Sequence, residues 1–332
     1  ASVEAVSIYF NWQHQFEFAG YYAAQQQGYF EEAGLSVTFI PYQTGSNVID
    51  LVSAAQGRYG VMDNRIVLSY LEGEPVVLLA NIFKHPQHII ITQPDIQTPS
   101  QLKGKKIMAM PGELETAGLM TMLRQFYVAK DDFETVPHEF SVDAFASGEV
   151  DAITAFSSNQ LYELERLHIP YNILDPSRYS GDLYGGNLFT SDAEVYAHPQ
   201  RAQRLTQAVL KGWQYALDHP EELIQLIHRD YVGTKTVEGL TFEADKIRDA
   251  VRPSVYPIGS IDLERLRQIA SIYIEHDYHV KRLNIEGMLF EPSDAALSLL
   301  GLTSTELDYI KRHPVLNVHN EENWPPINFA VN

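Results

Sequence analysis

The sequence predicts an α/β protein, and three observations support this fold class. Short apolar or alternating runs that indicate strands recur at residues 6–10, 35–40, 59–62 and 76–82. Segments rich in helix-forming residues stand between them, and beyond residue 196 the pattern changes to long amphipathic helices. Repeated alternation of strand and helix favours a parallel sheet with helices on both faces.

Local signals support the individual elements. The helix predicted at residues 18–27 ends at Gly28, a residue type that commonly terminates helices. Gly45 and Ser46 indicate the start of a helix at residues 46–55. Further strands are predicted at residues 88–92, 105–110 and 151–156, and further helices at residues 66–71, 116–127, 142–147, 199–218, 221–229, 243–255 and 263–273.

Composition excludes several classes of partner and site. The 332 residues include 24 basic and 43 acidic side chains, and the formal net charge of −19 repels nucleic acid and anionic lipid surfaces. The absence of cysteine excludes disulfides, thiolate metal sites and cysteine nucleophiles. No apolar run approaches the roughly 20 residues that span a bilayer, so we expect membrane attachment only through a tether outside this chain.

Motifs for catalysis, cofactors and metals are also missing. The sequence contains no Gly-x-Ser-x-Gly elbow, no Walker loop and no His-Glu-x-x-His motif. The 12 histidines lack ligand-like spacing, and His85 and His88, which flank Pro86, are separate in sequence from any carboxylate cluster. The sequence therefore predicts a non-catalytic protein without a metal or a bound cofactor.

Three stretches resemble the NMT1/THI5-like solute-binding family, over about residues 6–290. They comprise residues 10–13 with 19–22 and 28–35, then residues 102–107, and then residues 184–191 preceded by Gly181 and Asp182. The resemblance implies the type II periplasmic binding fold, in which two doubly wound α/β lobes are joined by a two-segment hinge. On this sequence, lobe one would comprise residues 6–87 and 190–295, and lobe two residues 88–189.

The resemblance also implies a class of function. Family members mostly deliver pyrimidine precursors of thiamine, sulfonates or nitrate to ABC transporters, which implies a small-molecule ligand and a periplasmic or extracytoplasmic location. One branch instead makes the thiamine pyrimidine, with a lysine and a histidine whose positions correspond to Met62 and Ile66, and with a cysteine-rich run near residues 184–187. Methionine does not form a Schiff base and isoleucine does not transfer protons, so binding is favoured over synthesis.

The end of the chain resembles the beginning of another solute-binding domain, of the kind found in tandem in bacterial membrane sensors. Residues 302–332 open with a capped helix at 302–307, followed by a strand at 315–318. The alternative is a C-terminal tail docked on the main body. A sensor would have its own signalling domains as partners, whereas a transporter component would have an ABC permease.

Ligands of doubly wound sheets bind where the carboxyl ends of the strands converge. This rule and the family positions predict the ligand-binding residues Asn11, Trp12, Glu17, Gly45, Ser46, Asp63, Asn64, Arg65, Glu113, Asn159, Asp182 and Tyr184. The ligand that they predict is a small, ring-containing, hydrogen-bonding molecule of pyrimidine-like character. The alternative ligand is an anion held by Arg65 and by the helix start at Gly45 and Ser46.

Several of these residues also have ordinary structural interpretations. The indole of Trp12 could stack on a ligand ring, or it could be a core side chain at the edge of a lobe. Asp63 could bind the edge of a heterocycle, or it could cap the next helix and pair with Arg65. Carboxylates that face the cleft would suit an amino group or a cationic ligand, although most acidic residues only cover a solvated surface.

Overall fold

The computed structural model describes residues 2–276, 279–290, 309, 312, 317–319 and 328–330. The chain divides into two compact units, Ala1–Phe290 and Glu291–Asn332. The first unit contains the strands β1 (Glu4–Tyr9), β2 (Leu35–Ile40), β3 (Arg58–Met62), β4 (Val76–Phe83), β5 (His88–Thr92), β6 (Lys106–Ala109), β7 (Glu134–Pro137), β8 (Ala152–Phe156), β9 (Asn172–Leu174) and β10 (Gly185–Ser191).

Helices connect these strands and make up most of the chain after β10. They are α1 (Ala19–Gln26), α2 (Tyr29–Glu32), α3 (Val48–Ser53), α4 (Arg65–Leu71), α5 (Ala117–Gln125), α6 (Asp143–Ala146), α7 (Gln160–Arg166), α8 (Ser177–Ser180), α9 (Asp192–Ala197), α10 (Pro199–Asp218), α11 (Pro220–Asp230), α12 (Val237–Val251) and α13 (Leu263–Glu275). Short 3-10 turns lie at Phe16–Phe18, Pro99–Leu102, Glu113–Glu115, Lys130–Asp132 and Glu286–Met288.

The strands form two five-stranded sheets, in the orders β2-β1-β3-β10-β4 and β7-β6-β8-β5-β9. We call the parts built on them lobe one and lobe two, and the chain passes between them at residues 84–87 and 181–184. This is the type II periplasmic binding architecture that the family resemblance implies.

Each sheet contains one strand that runs against its neighbours, which the prediction of parallel sheets did not include. β10 is antiparallel to β3 and β4, and β5 is antiparallel to β8 and β9. Both strands follow directly after a crossing between the lobes, so each enters its sheet from the side at which the neighbouring parallel strands end. Residues 185–189, which the sequence analysis assigns to lobe two, belong to β10 and therefore to the sheet of lobe one.

The core of lobe one depends on close packing of α1 against α10. Trp213 is fully buried in this cluster. A Cβ atom added at Gly212 would lie 2.7 Å from the Cβ of Ala24 and would also collide with the carbonyl oxygen of Gly20. The two helices can therefore approach this closely only because position 212 has no side chain.

The second unit contains a described hairpin, in which β11 (Asn317–His319) pairs antiparallel with β12 (Asn328–Ala330). The strand predicted at residues 315–318 overlaps β11, whereas the helix predicted from residue 302 lies outside the described residues. That this unit begins a second solute-binding domain stays a prediction. Among the described helices of the chain, none has the length and apolar character that a bilayer span requires.

Substituting Gly212→Ala should destabilise lobe one by about 3 kcal/mol, because overpacking against backbone outweighs the better helix propensity of alanine. Urea unfolding measures the change in the free energy of unfolding. Gly233→Ala is the matched control, since an added Cβ there meets no atom within 4 Å. Equal stability of the two variants would contradict the packing argument.

Candidate functional site

The carboxyl-end loops of the two sheets enclose a cavity of about 470 Å³ between the lobes. Its walls include Asn11, Tyr42, Gly45, Ser46, Met62, Arg65 and Glu72 from lobe one, and Met110, Pro111, Gly112 and Glu115 from lobe two. Small-molecule sites usually have volumes of roughly 300–1,000 Å³. Because both lobes contribute walls, a molecule in this cavity would contact both at once.

Asn11, two residues after the end of β1, supplies an unused acceptor at the cavity. Its Oδ1 is buried and has no hydrogen-bond partner within the protein. A buried acceptor without a partner costs roughly 1–3 kcal/mol. A ligand that donates an N–H group to Asn11 would recover this free energy.

Trp12 lies between the lobes and is only 4% exposed. Its ring meets three rings of lobe two edge-on, with centroid distances of 5.0 Å to Phe140, 5.3 Å to Phe156 and 5.6 Å to His138. Phe140 also lies 6.2 Å from Tyr42 and has a φ of +57°, a left-handed conformation that is unusual for a bulky residue. Trp12 therefore belongs to an aromatic cluster that both lobes share.

The side chains that follow β3 form hydrogen bonds mainly with other groups of the protein. Asp63 is buried and accepts hydrogen bonds from the backbone N–H of Arg65, at 2.9 Å, and from its guanidinium, at 2.8 Å. Another nitrogen of the same guanidinium donates to the carbonyl of Pro111 in lobe two. Asn64 Oδ1 accepts from the N–H of Ala117 in lobe two at 2.9 Å. These three residues connect the lobes, and the pairing of Asp63 with Arg65 matches their structural interpretation.

A buried ion pair of lobe two lies beside the aromatic cluster that contains Trp12. His88 Nε2 lies 3.2 Å from Glu113 Oε1 and 3.9 Å from Asp63 Oδ2. Burial raises the pKa of Glu113, but the hydrogen bond and charge of His88 outweigh it, so the pKa stays below its usual value. Burial lowers the pKa of His88, but Glu113 outweighs this effect and the pKa is raised.

Each of the two histidines that flank Pro86 therefore contacts a carboxylate in the structure, because His88 lies 3.2 Å from Glu113 and His85 lies 2.6 Å from Asp182. Both partners are distant in sequence, and the fold alone brings them together. Among the described residues, no group of three or more histidine or acidic side chains could hold a metal ion.

Glu17 is a further buried carboxylate, which is 4% exposed. It accepts a hydrogen bond from Gln15 Nε2 at 2.7 Å. Burial raises the pKa of Glu17 to about 7, against the lowering effect of that hydrogen bond.

Lys235 connects the region around Glu17 to lobe two. No sequence pattern predicts this role for Lys235. Its ammonium contacts Glu243, lies 3.2 Å from Gln15 Oε1 and donates to Asn159 Oδ1 of lobe two at 2.6 Å. Lys235 stands in the short loop between α11 and α12, within a region whose charge pattern indicates only solvated helix faces. The role of Lys235 becomes apparent only in the structure, where the loop lies against Asn159.

Gly45 and Ser46 line the cavity, but they do not begin a helix. α3 starts at Val48 and is capped by Asn47, whose Oδ1 accepts from the N–H groups of Ile49 and Asp50. Ser46 Oγ instead donates to the carbonyl of Gln43. The predicted helix start at Ser46 is therefore wrong, because the capping residue is one position later than expected.

Asp182 and Tyr184 lie at the second crossing and are not among the residues that line the cavity. Asp182 pairs with His85 of the first crossing and with Arg252. The hydroxyl oxygen of Tyr184 accepts from the N–H of Asp262 at 2.8 Å. Both side chains thus support the hinge, rather than facing the cleft as the sequence analysis expects.

Glu113→Gln should lower the free energy of unfolding by about 3 kcal/mol near pH 7, because it removes the nearest anion from the buried His88 and leaves only Asp63 at 3.9 Å. Glu115→Gln is the matched control, since Glu115 pairs with a Lys130 side chain that is 84% exposed and such pairs contribute about 0–1 kcal/mol. Chemical denaturation of both variants measures the difference. A loss at Glu115 as large as that at Glu113 would contradict this prediction.

Comparisons with known proteins agree with this architecture. The 4-amino-5-hydroxymethyl-2-methylpyrimidine phosphate synthase of Aspergillus parasiticus is 23% identical over 258 residues, which are 72% of this chain and 73% of that protein. The formylaminopyrimidine-binding protein of Halalkalibacterium halodurans is 24% identical over 299 residues, which are 83% of this chain and 87% of that protein.

A solved structure shows the same fold. The alkanesulfonate-binding protein SsuA from Xanthomonas axonopodis pv. citri, bound to MOPS, superposes with a TM-score of 0.68 at 15% identity, covering 87% of this chain and 99% of that chain. The family model described as NMT1/THI5 like matches residues 15–223, more than half of the chain. The chain belongs to the NMT1/THI5-like family.

Proposed function

We propose that this protein binds a small, ring-containing, pyrimidine-like molecule between its lobes without transforming it. The cavity of about 470 Å³ with walls from both lobes is the observation that carries the proposal. A ligand stabilises the closed arrangement only to the extent that it contacts both lobes together. The buried, unpartnered Oδ1 of Asn11 adds a group that a ring N–H or amino group would satisfy.

The chemistry around the cavity supports a heterocycle. Tyr42 lines the cavity and packs near Phe140 of the Trp12 cluster, so it provides an aromatic wall that favours offset or edge contacts with another ring. A relative of similar length is named as a formylaminopyrimidine-binding protein. The alternative ligands are nitrate and sulfonates, the latter in line with the ligand class named for the structural neighbour SsuA.

The residues at the family's catalytic positions support binding without turnover. Met62 lines the cavity where the synthase branch carries a lysine, and its thioether does not form a Schiff base. Ile66, at the position of the histidine, is fully buried in the core of lobe one. The chain also contains no cysteine. Pyrimidine synthesis, the activity named for the A. parasiticus relative, is therefore the disfavoured alternative.

We further propose a periplasmic or extracytoplasmic location and a role as the ligand-sensing part of a membrane receptor. The fold shared with SsuA supports the location. The resemblance of residues 302–332 to the beginning of a second solute-binding domain supports the receptor. The alternative role is that of a binding protein that delivers the ligand to an ABC permease.

The pyrimidine 4-amino-5-hydroxymethyl-2-methylpyrimidine should raise the melting temperature of the protein, and mass spectrometry should recover it unchanged after incubation. Asn11→Ala should weaken its binding about 10- to 100-fold, because the ligand donor loses an acceptor worth about 1–3 kcal/mol. Isothermal titration calorimetry measures the affinity.

The exposed Gln26→Ala is the control for this experiment, since Gln26 lies on an open face of α1. Its affinity should equal that of the unsubstituted protein. Stabilisation by nitrate or sulfonates but by no heterocycle would overturn the proposed ligand class. Conversion of the pyrimidine into a product would overturn binding without turnover.

The coding sequence should separate the two roles. A receptor should continue beyond Asn332 into further solute-binding sequence, a membrane span and a signalling domain. A stop codon shortly after residue 332, beside genes for an ABC permease, would favour the transporter component instead. Reading the complete gene and its neighbours provides this test.

A further inference from the structure

A second cavity, of about 640 Å³, lies mainly in lobe two beside the cleft. Its walls come from α5, from the segment 127–130 that follows α5, from the chain around the start of β7, and from His276 after α13. None of the ligand-binding residues predicted from the sequence is among the described residues that line it. The volume lies within the range of roughly 300–1,000 Å³ that is usual for small-molecule sites.

The lining of this second cavity is mostly apolar. Leu123, Val128 and Phe133 line it and belong to the core of lobe two. Met110 and Met120 line it as well and are half-buried, and methionine side chains adapt to apolar partners of different shapes. Apolar walls around a space of this size favour an occupant with an apolar body.

A left-handed turn after α5 shapes one of these walls. Tyr127 has a φ of +52°, which is unusual for a bulky residue. Its N–H donates to the carbonyl of Arg124 at 3.0 Å, and the N–H of Val128 donates to the carbonyl of Leu123 at 2.9 Å. The turn buries Val128 and leaves Tyr127 86% exposed at the edge of the cavity. The ring of Tyr127 thus extends the apolar surface outwards.

The same lining also contains positive charge. Arg124, Lys130 and His276 line the cavity, and Lys130 pairs with Glu115, which is the acidic side chain of the described lining. Among the described ion pairs, none includes Arg124. Its guanidinium has contacts of 3.4 Å to the carbonyl of Glu275 and to His276 Nδ1. A guanidinium has five N–H donors, so Arg124 has donors left for an acidic group of a ligand.

The ring of His276 has a nitrogen without a partner. Its Nδ1 donates to the carbonyl of Ile272, so this nitrogen carries a proton. Its Nε2 is buried and has no hydrogen-bond partner in the part of the chain that the structure describes. When the ring is doubly protonated, Nε2 becomes a donor as well and can bind an anion. Arg124 and His276 are therefore two neighbouring sources of donors for one anionic group.

We propose that this cavity is a second binding site, which takes an organic acid with an apolar chain or ring system and one carboxylate. The apolar body packs against Leu123, Val128 and Phe133, and the carboxylate accepts hydrogen bonds from Arg124 and His276. Charge-assisted hydrogen bonds from a planar guanidinium match the geometry of a carboxylate. The inference goes beyond the proposed function, because it concerns a different cavity and needs no ligand in the cleft.

The second cavity and the cleft are separated by the loop after β6. Met110, Pro111, Gly112 and Glu115 of this loop line both of them. On the cleft side, the carbonyl of Pro111 accepts a hydrogen bond from Arg65 of lobe one at 3.0 Å. A substitution that fills one cavity and leaves this loop unchanged should therefore leave the other cavity able to bind.

Isothermal titration calorimetry on the whole chain tests the proposal, with octanoate as the probe. We expect one octanoate to bind per chain. Hexanoate should bind about 15-fold more weakly, because each methylene group that is not buried loses about a factor of four in affinity. Octylammonium, which has the same chain length and the opposite charge, should bind about tenfold more weakly than octanoate.

Two matched pairs of variants locate the bound octanoate. Ala129→Trp fills the second cavity from an exposed position of its lining and should abolish binding, whereas Ser46→Trp fills the cleft and should leave the affinity unchanged. Arg124→Gln should weaken octanoate binding about tenfold. Arg166→Gln removes the same charge from an exposed face of α7 and should have no effect. If Ala129→Trp does not fold, Arg124→Gln carries the test.

The possible outcomes separate this inference from the proposed function. Octanoate binding that survives Ala129→Trp, or that Ser46→Trp abolishes, would place the probe elsewhere and overturn the second site. No binding at millimolar octanoate would overturn it as well. Equal affinity for octanoate and octylammonium, or full affinity in Arg124→Gln, would contradict the acidic ligand class. Failure of the proposed function has a different signature, in which octanoate binds as expected but no pyrimidine does.

Discussion

A carboxylate that leaves water must be paired with a cation or protonated, and this constraint organises the space between the lobes. Asp63 and Glu113 satisfy it through Arg65 and His88. Because Arg65 also reaches Pro111 of lobe two, charge pairing within lobe one contributes to contact between the lobes. The positions of these buried ion pairs therefore help to determine how the two lobes contact each other at the cleft.

The hinge has ion pairs of its own, which form around the partly exposed Asp182. Asp182 of the second crossing contacts His85 of the first crossing and Arg252 of lobe one. Its backbone carbonyl also accepts from Arg265 of α13. These contacts tie both crossing segments to lobe one.

Sequence patterns predict the residues whose position depends on a strand end, and they fail where two distant segments meet. Asn11 lies at the cavity because it stands two residues after the end of β1. By contrast, nothing near Lys235 in the sequence indicates that its ammonium reaches Asn159. The predicted position of Tyr184 is wrong for a related reason. β10 begins five residues before the expected boundary and belongs to the sheet of lobe one, so that the residue before it lies away from the cleft.

Direct contacts between the lobes determine how much further stabilisation of their closed arrangement a bound ligand can contribute. Trp12 packs on Phe140, and Asn159 accepts from Lys235. Such contacts favour the arrangement in which the lobes meet, so a ligand that needs the lobes apart to enter would bind with an apparent affinity lowered by the fraction of open molecules. Weaker contacts in the Trp12 cluster would therefore favour the open arrangement and raise the apparent affinity for such a ligand.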